Sequence, residues 1–292
     1  MLEAAIVAVR LLQYLGAMVL FGSSLFFVYA APALWPRRLL VCAAALLALS
    51  SLLAIGAQAS LFAGSLAAGF TGEALGAVVS SMDLGKAAVV RSVAAALALV
   101  MLFAPEIRLT RPAVIGLAAV ATASLAWMGH GAAGENPLQL AADIIHALAA
   151  AIWLGALAGF VVLLRQRTEL ARLHGALRRF SQIGIPLVAV LVLSGFANSW
   201  FLVGPDHLTG LATTPYGRVL LAKLALFAGM LVLAARNRNR HTPAIAADLA
   251  ASPGNPAAIA RLRRSILTET ALGLGVLAAV AWLGTLPPPA TA

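Results

Sequence analysis

"WMGHGAAGENPLQLAADIIHALAAAIWLG", from Trp127 to Gly155, closes one apolar segment and opens the next. It places two histidines, a glutamate and an aspartate in a chain that is 62% hydrophobic and only 10% charged. Ordinary soluble domains are about half apolar and about a quarter charged. The segments flanking this junction are almost free of charge. At about 1.5 Å per residue they are long enough to span a hydrocarbon core of about 30 Å. Rich in Ala, Leu and Gly, they must be helices, because a helix satisfies its own backbone hydrogen bonds in lipid. The stretch therefore decides the class: an all-α polytopic membrane protein whose first partner is the lipid bilayer.

Working outward, the same pattern predicts about eight transmembrane helices, at about 4–30, 39–67, 84–104, 112–130, 138–164, 180–203, 216–236 and 265–286. Residues 1–292 read as a single transmembrane domain, with a cytoplasmic linker at about 237–264. Basic residues fall in alternate connections: Arg37 and Arg38, Arg108 and Arg111, the cluster from Arg165 to Arg179, and the cluster from Arg236 to Arg264. The connections near 68–83, 131–137 and 204–215 hold no Lys or Arg. By the positive-inside rule the basic loops are cytoplasmic and both termini periplasmic. The same distribution accounts for the net charge of +10 without nucleic acid, since the charge marks segment ends rather than one patch. His174 and His241 fall among the cytoplasmic arginines and read as solvated loop residues. "VYAAPA", from Val28, resembles a signal-peptide cleavage site. The length of the apolar run and the basic anchor after it favour a retained first span. The single cysteine, Cys42, excludes an internal disulfide and a Cys-based metal cage, and reads as a packing residue.

Short matches suggest two four-helix parallel repeats, about 4–130 and 138–286. "YLGA" at Tyr14 pairs with "WLGA" at Trp153, and "LGKAAVVR" at Leu84 with "YGRVLLAK" at Tyr216. Parallel repeats of this kind build some transporters. The repeat does not extend to the polar cluster: Ala4 and Val7 stand where the second half has Asp143 and His146. One site, not two, is expected.

Asp143 and His146 are three apart and share a helix face, which Trp153 extends. The short link after His130 makes its helix an antiparallel neighbour of the next. His130 and His146 therefore approach near the outer surface, with Asp143, Glu135 and Met128 close by and Trp127 and Trp153 lining the site. Ionisable groups at membrane depth are costly and mark functional sites by default. Imidazole with carboxylate suits Cu(II), Zn or Ni, whereas thioether favours Cu(I). Asp143 reads as a group that orients a ligating imidazole rather than as a ligand. His207, beside Asp206, is a further candidate to deliver a metal. Arg91 and Lys223 occupy matched repeat positions and read as structural charges that hold the bundle or snorkel. Spacing assigns no chemistry to Arg10, Asn198 or Glu269, and the inner halves of the spans offer few metal ligands.

"GHGAAGENPLQLAADIIHALAAAIWLGAL" resembles the signature of the copper resistance protein D (CopD) family of bacterial inner-membrane proteins. In that family a Gly-His element closes one helix and an Asp-x-x-His-x6-Trp-x-Gly pattern opens the next. "LVLSGFANSWFLVG", "LATTPYGRVLLAKLALFAGMLVLAARNRNR" and "SILTETALGLGVLAAVAWLGTLPP" are similar to it as well. The resemblance implies a multi-pass protein of the inner membrane, not an enzyme, that moves copper inward for homeostasis or resistance. It also implies a periplasmic CopC-type copper carrier as donor, and His130 and His146 as the characteristic histidines. Neither a Met-rich nor a Cys-rich region selects between Cu(I) and Cu(II). Two other readings remain open: a haem-binding electron carrier, since histidines on neighbouring helices can ligate haem iron, and a copper-binding sensor that does not transport. The sequence carries no signal for oligomeric state.

Overall fold

The computed structural model describes residues 2–128, 136–166, 168–251 and 256–291. Among these residues, eight helices are long and apolar enough to cross a membrane: α1 Leu2–Tyr29, α2 Arg37–Ala63, α3 Asp83–Phe103, α4 Thr110–Met128, α5 Pro137–Arg165, α6 Leu170–Leu202, α7 Pro215–Ala251 and α8 Pro256–Leu283. The expected eight-span, all-helical layout is what the chain forms. Leu49, Leu53, Val100, Leu193, Phe196 and Val232 stay exposed on the flanks. An apolar surface this extensive belongs against lipid rather than water.

Three helices run further than the hydropathy pattern predicts. The arginine-rich stretches before α6 and α8 and after Arg236 are helical, not loop, because hydropathy reports only the part that lipid must cover while arginine is a good helix former. His174 therefore lies in α6. His241 is 8% exposed, inside a helical segment that packs on α6 and α8, so neither histidine is the solvated loop residue expected. Cys42 is exposed on α2 rather than packed. Arginines at this end also satisfy helix C-terminal carbonyls that have no intrahelical donor. Arg37 donates to the carbonyls of Leu102 and Ala104 at the end of α3, and Arg179 to those of Tyr29 and Ala30 at the end of α1.

Helices α1 to α4 close on one another, each packing on the next and α4 returning to α1. Their core is made of small and branched residues, with Leu20, Leu47, Ala95, Ala98 and Ala121 fully buried. In the other group α5 packs on α6 and α8, and α7 on α8; α6 meets α7 only at its arginine-rich extension and stands away from the Pro215–Arg236 part of α7. The groups meet where α1 crosses α5. There α1 carries a π-helical turn at Val19–Ser23. Gly22 and Gly155 bring the two backbones so close that a Cβ on either would collide with the other helix. Ser23 Oγ donates to the Gly155 carbonyl at 2.9 Å and fixes the crossing. Below it Phe26, Phe27 and Phe160 pack edge to face.

Candidate functional site

The helix that carries the polar cluster begins with a defined cap. Asn136 Oδ1 accepts the Leu138 N–H at 2.9 Å, and Pro137 follows at the first helical position, where its missing donor costs nothing. Two turns on, Asp143 and His146 line one cavity of about 190 Å³. Tyr14 of α1, Asn198 of α6, and Tyr216 and Lys223 of α7 complete its polar wall. The gap left between α6 and α7 is thus what makes room for it.

His146 Nδ1 lies 3.0 Å from Ser194 Oγ. A serine hydroxyl has a single proton, and that of Ser194 is committed to the Val190 carbonyl at 2.6 Å. Ser194 therefore accepts from Nδ1–H. This fixes the neutral tautomer of His146 with the proton on Nδ1 and the lone pair on Nε2, the Leu191 backbone being a further hydrogen-bond partner of the ring. Gly195 permits the arrangement: a Cβ there would meet His146 Cε1 at 3.3 Å. The ring is oriented by Ser194, the task the sequence reading gave to Asp143. Asp143 makes no hydrogen bond to His146, and interacts electrostatically with Lys223 across the cavity without direct contact. Asn198 Oδ1 is buried without a hydrogen-bond partner. Imidazole nitrogen, carboxylate and amide oxygen, which line this one cavity, are the ligand types that borderline and hard cations take.

The other expected site residues are dispersed. His130 and Glu135 lie outside the described residues. Met128 is buried, and its carbonyl accepts from Arg10; it lines a separate cavity of about 30 Å³ with Arg10, Gln13 and Arg91. Arg91 is wholly buried and donates to Ser124 through Nε to Oγ at 3.1 Å and Nη2 to the carbonyl at 2.9 Å. The two arginines thereby tie down the last turn of α4, immediately before His130. Trp127 is half-buried and borders none of these cavities, and His207 is exposed on the short helical turn Pro205–His207. Among the described residues, no three His, Cys, Asp or Glu side chains converge.

A second cavity, of about 320 Å³, shares His146, Gly195 and Lys223 with the first and descends between α6 and α7 to Trp153. Trp153 is buried, stacks edge to face on Phe227 at 6.0 Å, and also lines a third cavity of about 420 Å³. That third space opens toward the arginine-rich end, with Glu269 and Asn237 in its wall. Sequence reading missed the roles of Ser194 and Asn198, and their spacing of four residues on one helix was the available signal.

Eight candidate membrane helices among the described residues, with a polar, imidazole-bearing cavity between them, define a multi-pass membrane protein. The comparisons with known proteins narrow this. Residues 174–283 match the family model described as copper resistance protein D, and residues 1–140 match that of the copper resistance protein D-like N-terminal domain. The chain is similar to copper resistance protein D of Pseudomonas syringae pv. tomato, at 35% identity over 97% of this chain and 96% of that protein. It also resembles the copper transport protein CutJ of Bacillus subtilis (strain 168), at 30% identity over 56% of this chain and 28% of that protein. No solved structure matches. The chain belongs to the copper resistance protein D family.

Proposed function

We propose that this protein carries copper ions across the bacterial inner membrane, from periplasm to cytoplasm, through a site built on His146. The arginine-rich end faces the cytoplasm in this reading, and His146 lies about two turns in from the periplasmic end of α5. The observation that carries it is the serine-locked tautomer of His146, which presents Nε2 as a ready ligand in a polar cavity at membrane depth. A hydrogen bond from the other ring nitrogen to a neighbouring oxygen orients metal-ligating histidines in this way. Membership of the copper resistance protein D family supports copper as the cation. His130, on the residue pair that follows Met128, is the second ligand, and Asp143 supplies the compensating negative charge. Glu135 and His207 stand at the periplasmic approach, where a CopC-type carrier would deliver copper.

The test is copper content and absorbance of purified, detergent-solubilised protein after incubation with copper, and separately with haem. Wild type is expected to retain copper, His146→Ala and His130→Ala to lose it, and His174→Ala to keep it. Unchanged copper in the doubly substituted protein would remove the site. A Soret band lost in His146→Ala would make the cavity a haem pocket instead.

A further inference from the structure

Glu269 lies in the middle of α8 and is 1% exposed. Its two carboxylate oxygens each accept one hydrogen bond: Oε1 from Trp153 Nε1–H at 2.8 Å, and Oε2 from Asn237 Nδ2–H at 2.9 Å. Both donors are neutral. No Lys, Arg or His among the described residues forms an ion pair with it. The one other charged residue lining its cavity, Arg238, is exposed and donates to the Ser181 carbonyl at 3.0 Å. A buried carboxylate without a counter-charge is expensive in a low-dielectric surrounding, and either a proton or a bound cation relieves that cost. Further oxygen donors lie beside it. Asn237 Oδ1 is buried without a partner, and so is Ser265 Oγ, one turn away on α8.

Trp153 connects this group to the rest of the molecule. Its indole separates the cavity reached from His146 from the cavity that holds Glu269, and its N–H is the group that grips the carboxylate. His146 and Trp153 are seven residues apart on α5, about 10 Å along the helix axis.

We propose that Glu269, with Asn237, forms a second cation-binding station on the arginine-rich side of Trp153, taking a copper ion in transit from the His146 site. The inference rests on the transport reading above and deepens it. The station is deliberately sparse: one carboxylate and one amide oxygen bind an ion firmly enough to draw it past the indole, yet release it again, as conduction through successive sites requires. Asp248, in the arginine-rich extension of α7, is the other acidic residue in the inner halves of the described helices, so at the depth of the cavity the negative charge comes from Glu269.

The experiment uses the full chain in copper-free proteoliposomes. It measures copper entry by a trapped chelating dye, and copper bound to the same preparation in detergent. Glu269→Gln is isosteric, and its new amide can donate to the spare Asn237 Oδ1, so the helices stay joined. The expected result is copper retained at the His146 site but entry reduced to that of protein-free vesicles, with partial recovery in Glu269→Asp. Wild-type entry in Glu269→Gln overturns the station while leaving the transport reading intact. Loss of bound copper together with entry also overturns it, because Glu269 then only supports the fold. Wild-type protein that binds copper but passes none overturns both. If entry persists in Glu269→Gln but no longer responds to an imposed pH difference, the group carries a proton instead, and the metal station is refuted.

Discussion

The two four-helix groups share a membrane, but not a degree of burial. In α2, α3 and α4, 44% of the most apolar window is buried, whereas α6 and α7 bury 17% and 11%. The first group closes on itself around alanines, while the second leaves α6 and α7 apart and encloses a chain of cavities instead. The positions that the sequence repeat pairs show the consequence. Arg91 is wholly buried and committed to Ser124, whereas Lys223 faces both cavities beside His146. A closed bundle gives a fixed wall, and the open one gives room for chemistry. Dense packing penalises any added volume; a lined gap does not.

The sharpest way to break this contrast is at the seam. Gly155→Leu drives a side chain into the α1 backbone at Gly22, and is expected to abolish folded, monodisperse protein on size-exclusion chromatography. Recovery of normal protein would mean that the crossing is not close. Next comes a matched pair of enlargements. Ala98→Leu in the closed group should cost about 1–3 kcal/mol, read as a lowered melting temperature. Ala150→Leu at the cavity wall should stay within about 0.5 kcal/mol while displacing copper from the His146 site. Equal melting shifts would erase the distinction between the halves. Ser194→Ala frees the His146 tautomer and should weaken copper binding by about 10-fold or more in a competition titration, with stability barely changed. The smallest effect is expected at Gly195→Ala, whose Cβ contacts the His146 ring at 3.3 Å. A shift of a few tenths of a kcal/mol in copper binding, with none in melting temperature, would place that ring where it is drawn.

Much of the fold is legible in the sequence because lipid writes a long, simple signal. Eight runs of apolar residues announce eight helices, and their ends fall within a few residues of those observed wherever the flanking chain is a short link. The arginine-rich extensions of α6, α7 and α8 escape that signal, since helix continues where hydrophobicity stops. The site is half legible. Asp143 and His146 stand out as ionisable groups three apart on an apolar helix. Ser194 does not, being a small polar residue of a kind that packs membrane helices anywhere, and its partner lies 48 residues away in the chain. Glu269 is conspicuous as a charge, yet its meaning depends on Trp153 and Asn237, 116 and 32 residues distant. Local spacing records neither pairing.

The π-turn at Val19–Ser23 sets a phase between two lengths of one helix. A π-bulge inserts one extra residue, and one residue is worth about 100° of rotation. On the N-terminal side, α1 directs Tyr14 and Met18 to the cavity; on the other, Phe26 and Phe27 reach the aromatic cluster around Phe160. Both faces work from a single helix only because the offset is built in, like two keys cut at different angles on one shaft. Deleting Val19 would turn one set of teeth away from its lock while leaving composition and span length almost untouched.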